Sequence, residues 1–172
     1  MAVDVRVSRQ NSLGMNDRRT TRRTLVAISA IWSVALGLVA VFACGGPNLA
    51  DLAEQAVAAR TTSMQEKATA ADVDRFLSFT TDDVVYEDPV VKMRIQGKDE
   101  IRKGLTAFLG ATRNARTVVT RRIATANVVV LQQTVAFDEK QDGGWTPRSR
   151  EQVTVFEFDG SKIRRIADYW AR

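Results

Sequence analysis

A block of twenty residues without a charged side chain, Thr24–Ala43, divides this sequence into two parts of different character. Residues 1–24 carry six arginines and two aspartates. The block is long for the apolar core of a secretory signal and matches the thickness of a bilayer. Because arginines stay on the cytoplasmic side, we expect the following residues outside a bacterial cell membrane. A buried core helix is the alternative, but the block follows an arginine cluster and has no polar face.

The single cysteine of the chain, Cys44, comes directly after this block. The segment Val41-Phe42-Ala43-Cys44-Gly45 resembles a bacterial lipobox, in which the cysteine becomes a lipid-modified N-terminus. Phe42 departs from the pattern, which has a small residue there. We interpret residues 1–44 as a basic region followed by a signal sequence or transmembrane anchor. It is lipidated at Cys44 or left uncleaved with an inert thiol, and Met15 is an alternative start.

Charge and composition exclude several classes of function for residues 45–172. This part holds 19 basic and 18 acidic side chains, a net charge of +1 (19 − 18), so it has no electrostatic basis for binding nucleic acid. The whole chain has no histidine. Catalytic histidines, histidine-bound zinc and a proximal-histidine haem are therefore excluded, and one cysteine cannot form an intramolecular disulfide. We predict no metal and no cofactor.

The order of helical and strand patterns predicts one α+β domain over residues 49–172, after a linker at 45–48. Apolar residues at helical spacing begin at Leu49, Thr69-Ala70-Ala71-Asp72 has the form of a capping box, and a further helix is predicted over 98–109. Alternating β-branched residues predict strands at 84–86, 117–125, 127–137, 149–158 and 162–170. Helices followed by an antiparallel meander favour α+β over a parallel α/β sheet.

Several short motifs occur in a familiar order. They are Tyr86-Glu87-Asp88-Pro89, Gly97-Lys98-Asp99-Glu100-Ile101, Phe156-Glu157-Phe158-Asp159-Gly160 and Asp168-Tyr169-Trp170. The ordered set resembles the SnoaL-like proteins of the nuclear transport factor 2-like superfamily. The resemblance implies a cone-shaped, curved antiparallel sheet packed on about three helices around an apolar pocket. That superfamily includes ketosteroid isomerases, polyketide cyclases, limonene epoxide hydrolases and non-catalytic binders, so the fold alone does not settle the function.

The resemblance implies a general base at Asp88. The tripeptide Glu87-Asp88-Pro89 carries that base in ketosteroid isomerases. Met64 and Thr154 stand where those enzymes place their oxyanion-hole donors, and losing such donors costs several kcal/mol of transition-state stabilisation, roughly 3 kcal/mol for one donor. Steroid isomerisation is therefore not favoured. A turn-capping aspartate before proline is the alternative for Asp88.

Asp168 and Tyr86 are further catalytic candidates. By the resemblance, Asp168 matches the acid–base aspartate of the cyclases and one aspartate of the epoxide hydrolases, and Tyr86 matches the hydrolases' water-positioning tyrosine. Gln133 and Val135 replace the arginine and second aspartate of the hydrolases, and an apolar residue cannot activate water. An edge aspartate paired with Arg164 or its neighbour Arg165 is the alternative for Asp168.

A ligand pocket is expected beside these candidates. Alternation along the last strand puts Asp168 on one face with large apolar neighbours, as in a pocket wall. The expected lining residues are Met64, Gln133, Thr154, Phe156, Ile166 and Trp170.

Three functional hypotheses follow. The leading one is an extracytoplasmic, membrane-anchored domain that binds a small apolar or amphipathic ligand in its conical pocket. The second is a cofactor-independent isomerase, cyclase or hydratase that uses Asp88 and Asp168 as acid and base. The third is an envelope adaptor that binds a protein through its sheet face. The expected partners are a small hydrophobic ligand and the membrane, with a homodimer through the sheet as a further option.

Overall fold

Three helices and six strands make up residues 48–171, the residues that the computed structural model describes. In chain order they are α1 (Leu49–Ser63), α2 (Ala70–Leu77), β1 (Thr80–Asp88), β2 (Met93–Gln96), α3 (Lys98–Ala107), β3 (Thr112–Ala124), β4 (Val128–Gln141), β5 (Gly144–Asp159) and β6 (Lys162–Trp170). The predicted anchor and Cys44 lie outside the described residues. Within residues 48–171, no helix is both long enough and apolar enough to cross a membrane.

Local signals explain where the helices begin. The Asn48 side chain accepts a hydrogen bond from the Ala50 N–H at 3.0 Å and caps α1. The predicted capping box of α2 is present, since the Asp72 carboxylate accepts from the Thr69 N–H at 2.8 Å. Gly97 precedes α3 with φ of 94°, a backbone conformation that glycine adopts at little cost.

The sheet has the strand order β2-β1-β6-β5-β4-β3. The prediction of a purely antiparallel sheet is wrong in one respect, because β1 and β6 pair in parallel. The chain leaves β1 through β2 and α3, builds the β3–β6 meander, and returns beside β1 in the same direction. A parallel pair requires such a long connection. The sheet is therefore mixed, and β2 and β3 are its edges.

Strands β1, β3, β4 and β5 are longer than predicted. Strand β1 begins four residues before the predicted strand at 84–86, and it includes Asp82 and Asp83 with exposed side chains, where the pairing to β6 is irregular. The β4–β5 hairpin closes through Asp142 and Gly143, with φ of 45° and 82°. Two positive φ angles are typical of the tight hairpin turn that matches strand twist. The hairpin therefore continues well past the predicted ends of both strands.

The helices pack on one face of the sheet and bury an apolar core there. Its main side chains are Val57, Val73, Phe76, Leu77, Val84, Val129, Leu131, Phe156, Phe158, Ile163 and Ile166. Phe108, which falls inside the helix predicted over 98–109, is 70% exposed. The reason is that α3 ends at Ala107, so Phe108 caps the helix and leaves its apolar stripe.

Candidate ligand-binding site

The helix-facing side of the sheet changes from apolar to polar along the strands. Its apolar half comprises Val84, Val129, Leu131, Phe156, Phe158, Ile163 and Ile166. Its polar half comprises Tyr86, Asp88, Gln133, Arg150, Gln152, Thr154, Asp168 and Trp170. Strand register aligns this change across the sheet, since Gln133 pairs with Gln152 and Thr154 pairs with Asp168. The alternation of each strand thus gathers the polar side chains in one region.

Asp168 is the centre of this region and is fully buried, at 0% exposure. Its Oδ2 accepts hydrogen bonds from Arg60 Nη1 and from the Tyr86 hydroxyl, both at 2.8 Å. Its Oδ1 accepts from the Thr154 hydroxyl at 2.7 Å. Arg60 Nη2 also donates to the Tyr86 oxygen at 2.8 Å. We call Arg60, Tyr86, Thr154 and Asp168 the Asp168 cluster.

The Asp168 cluster stabilises the ionised carboxylate. Burial alone would raise the pKa of Asp168, but the charge of Arg60 and the three hydrogen-bond donors outweigh burial and hold the pKa below its usual value. Burial raises the pKa of Tyr86 to about 12, and the neighbouring Asp168 charge acts in the same direction. Tyr86 is therefore a neutral donor and Asp168 a fixed anion near neutral pH.

Thr154 connects the cluster to two glutamines. Gln133 Nε2 and Gln152 Nε2 donate to its oxygen at 3.0 Å and 2.9 Å. The one proton of Thr154 goes to Asp168, so both amides must turn their NH₂ groups toward Thr154. Gln152 Oε1 accepts from Arg150 Nε at 3.1 Å. Gln133 Oε1 is buried and has no hydrogen-bond partner among the described residues.

A small cavity of about 40 Å³ lies beside this network, between α1 and the sheet. It is lined by Val57, Arg60, Thr61, Met64, Thr117, Gln133, Val135, Arg150 and Gln152. The lining thus includes the predicted residues Met64 and Gln133. Phe156 and Ile166 belong to the apolar core instead, and Thr154 lies behind the glutamines that bond to it.

Asp88 occupies a separate environment at the end of β1. Its Oδ1 accepts from the backbone N–H groups of Val90 and Val91 at 3.1 Å and 3.4 Å. Its Oδ2 accepts from Trp170 Nε1 at 2.9 Å. The guanidinium of Arg150 lies 4.8 Å from the centroid of the Trp170 ring. Asp88 is buried but is not among the residues that line the cavity.

Trp170 and Arg150 lead from the cavity to an open cleft of about 360 Å³. The cleft is lined by Phe137, Glu139, Arg148, Ser149, Arg150, Trp170 and Ala171. Arg150 borders both spaces, and no carboxylate of the described residues forms an ion pair with it. Residues 48–171 also contain no group of three histidine, cysteine, aspartate or glutamate side chains placed to hold a metal ion.

Sequence reasoning missed Arg60, Arg150 and Gln152. Arg60 follows Ala56 and Val57 by four and three residues, so it lies on the buried face of α1. An arginine on an apolar helical face was the signal that could have found it, because such a charge needs a buried partner. Thr154 was an expected lining residue, and alternation along the strand predicted at 149–158 puts Gln152 and Arg150 on the same face as Thr154.

Residues 62–166, more than half of the chain, match the family described as SnoaL-like domain. The chain belongs to this family. No curated protein gives a significant match. The predicted resemblance is therefore confirmed at the level of the family and of its α+β fold.

Solved structures support the SnoaL-like fold. An LEH-like epoxide hydrolase of M. tuberculosis is 24% identical, with a TM-score of 0.56 over 72% of this chain and 86% of that chain. A protein from Shewanella denitrificans, described as a SnoaL-like polyketide cyclase, is 16% identical with a TM-score of 0.63 over 73% and 91%. A Catenulispora acidiphila protein with a ketosteroid isomerase-like fold, in complex with trimethylamine, is 16% identical with a TM-score of 0.53 over 68% and 85%. At these identities the likeness concerns the fold alone.

Proposed function

We propose that this SnoaL-like domain binds a small amphipathic molecule, polar end first, and does not transform it. The observation that carries the proposal is that the polar groups differ in whether the protein itself supplies their hydrogen-bond or ion-pair partners. Both carboxylates that could act as acid or base are held by protein donors, whereas residues 48–171 give the buried Gln133 carbonyl no hydrogen-bond donor and the Arg150 guanidinium no ion pair. The Gln133 carbonyl and the Arg150 guanidinium can therefore bind a ligand through a hydrogen bond and a charge, but neither is an acid or base for catalysis.

The hydrogen bonds of Asp168 argue against an acid–base role. A general base must take a proton, yet each oxygen of Asp168 already accepts at least one hydrogen bond and its lowered pKa makes it a weak base. Asp88 likewise accepts at both oxygens, from Trp170 and from its own turn. A catalytic step at either residue would have to break these contacts first.

The sizes of the two spaces favour an amphipathic ligand. A cavity of about 40 Å³ admits a polar group but not a ring system. The open cleft beyond Arg150 offers Phe137 and the Trp170 ring for an apolar chain. Polar groups that fix orientation beside an apolar surface are typical of small-molecule sites.

A series of probes with a common six-carbon chain tests this function. We expect 1-hexanol, hexanamide or hexanoate to bind the full-length chain saturably and to change Trp170 fluorescence in a Trp32→Phe/Trp145→Phe background. Ligand that binds the native state should also raise the melting temperature. Val135→Phe should block binding because Val135 lines the cavity. Val155→Phe is the matched control, because Val155 lies on β5 with its side chain on the face of the sheet away from the helices. Absence of saturable binding by every probe would contradict the proposal.

We also propose that the domain is anchored on the extracytoplasmic side of the membrane. The arginine-rich start, the uncharged block Thr24–Ala43 and Cys44 support this topology. Protease added to spheroplasts should degrade the domain, and a protected domain would contradict the proposed location. Lipid labelling that depends on Cys44 distinguishes a lipoprotein from an uncleaved anchor, because Cys44→Ala abolishes it only in the first case.

A further inference from the structure

We infer that the polar end of the ligand is a carboxylate with a hydroxyl group beside it, so that the ligand is a hydroxycarboxylate. The inference rests on the proposed binding function and specifies its chemistry. Three features of the cavity carry it: the Arg150 guanidinium has no ion pair among the described residues, the buried Gln133 Oε1 has no donor among them, and the volume suits a few polar atoms.

The charges around the cavity favour an anion. Arg60 is neutralised by Asp168 at 2.8 Å, whereas Arg150 has no ion pair among the described residues. Asp88 meets the edge of the Trp170 indole and does not line the cavity. The lining therefore carries one positive charge that nothing in the cavity offsets. A carboxylate there would gain charge-assisted hydrogen bonds from Arg150 and from the unused N–H groups of Arg60.

Gln133 specifies the second group. Its side chain is part of a residue only 2% exposed, its amide orientation is fixed by Thr154, and its Oε1 has no partner among the described residues. A buried carbonyl oxygen without a donor is costly, so the ligand should donate a hydrogen bond to it. An ammonium group would add charge beside two guanidinium groups. A hydroxyl donates without that repulsion.

The cavity volume agrees with this combination. About 40 Å³ holds roughly three water-sized groups, since one such group needs about 10–15 Å³ of this space. A carboxylate and one hydroxyl present three oxygen atoms. The carbon chain of the ligand would then leave past Arg150 into the cleft that Phe137 and Trp170 line.

Calorimetric titration of the full-length chain with matched probes tests the inference. The probes are 1-hexanol, hexanoate and each enantiomer of 2-hydroxyhexanoate at constant ionic strength. We expect hexanoate to bind about tenfold more tightly than 1-hexanol, because its hydrogen bonds are charge-assisted. One enantiomer of 2-hydroxyhexanoate should gain a further factor of roughly three to ten from the bond to Gln133.

Two variants separate the contributions. Arg150→Gln should remove the preference for hexanoate over 1-hexanol, and Gln133→Met should remove the gain from the hydroxyl while keeping the preference for the anion. Arg164→Gln, which loses an ion pair with Glu157 on the outer face, should change neither. Thermal melting of each variant checks that it is folded, and the order of affinities in the unmodified chain is decisive by itself.

The outcomes distinguish the two levels of the proposal. Equal affinities for hexanoate and 1-hexanol would overturn the assignment of an anion and leave the binding function standing. If neither enantiomer of 2-hydroxyhexanoate binds more tightly than hexanoate, the role of Gln133 is overturned. The Gln133 carbonyl would then accept its hydrogen bond from water and not from the ligand. Failure of every probe to bind would overturn the binding function together with this inference.

Discussion

The two buried aspartates on the neighbouring strands β1 and β6 differ in where their partners come from. Asp168 is 0% exposed and is held by side chains from α1, β1 and β5, including Arg60, 108 residues away in sequence. Asp88 is 6% exposed, and two of its three donors are backbone N–H groups of the turn that follows it. Asp168 therefore joins the helix to the sheet, whereas Asp88 mainly shapes its own turn and fixes Trp170.

This comparison shows that burial and residue type do not determine a role. Both residues are aspartates on the helix-facing side of the sheet, and both matched catalytic positions by resemblance. The Asp168 cluster contains the ion pair of Arg60 with Asp168. Removing Arg60 leaves the Asp168 charge buried without a counter-charge, which is among the most destabilising single changes. The Asp88 contacts are capping bonds and one bond to an indole, each a modest contribution.

Arg60→Met should be the most destabilising of these substitutions. It keeps an unbranched apolar stem but removes the guanidinium, so that among the described residues buried Asp168 retains the Tyr86 and Thr154 donors alone. We expect the free energy of unfolding at neutral pH to fall by about 3 kcal/mol. Urea unfolding measures the change. Adding Asp168→Asn to Arg60→Met should recover part of the loss, because the uncompensated charge is then gone.

Arg122→Met is the control for that experiment. Arg122 also pairs with α1, through Asp51 and Glu54 at 3.3 Å, but its side chain is 53% exposed. Exposed pairs of this kind contribute less than about 1 kcal/mol. A loss for Arg60→Met no larger than the loss for Arg122→Met would refute the view that the Asp168 cluster connects helix and sheet.

The Asp168 cluster should also give a defined dependence of stability on pH. The folded pKa of Asp168 is below its unfolded value of 3.8, so its ionisation adds stability that is fully present above pH 3.8. That stability is lost as the pH falls through the folded pKa. The difference in free energy of unfolding between the native chain and Asp168→Asn should therefore be constant near neutrality and shrink below pH 3.8. A difference that stays constant into acid would contradict an ionised Asp168.

Local patterns predicted the elements of the fold but not how they meet. The capping box at Thr69 and the last strand at 162–170 agree with the structure because each depends on neighbouring residues. The parallel pairing of β1 with β6 was not predictable in this way. Hydrophobic alternation specifies which face of a strand is buried, not which strand lies beside it.

The same limit applies to the candidate site. Alternation put Asp168 on a face with large apolar neighbours, which is the helix-facing side of the sheet, whereas the alternative interpretation paired Asp168 with Arg164 or Arg165. In the structure Arg165 pairs with Glu87 and Glu157 on the other face, and Arg60 pairs with Asp168. The choice depends on which helical residue packs opposite β6, and that is a property of tertiary packing alone.

Asp88→Asn should cost less, about 1 kcal/mol, and for a different reason. The carboxylate accepts hydrogen bonds at both oxygens, whereas an amide has only one acceptor. The variant must therefore lose either the turn or the bond from Trp170. In a Trp170→Phe background the amide oxygen can stay on the turn, so the same substitution should have almost no effect. Urea unfolding of the four chains gives this coupling, and equal costs in both backgrounds would contradict the dual role of Asp88.

The smallest expected change in the free energy of unfolding comes from substituting Gln133 or Gln152, which both donate to Thr154. Within the part of the chain that the structure describes, only the Gln152 carbonyl has a donor, Arg150. Gln133→Met loses one hydrogen bond and also removes the unpartnered buried carbonyl, so its net effect should be within about 0.5 kcal/mol of zero. Gln152→Met loses two hydrogen bonds and leaves Arg150 Nε without its partner. It should therefore be less stable than Gln133→Met by about 1 kcal/mol. Equal stability of the two variants would mean that the Gln133 carbonyl has a partner in solution. The Gln133 carbonyl would then not be an unsatisfied acceptor available to a ligand in the cavity.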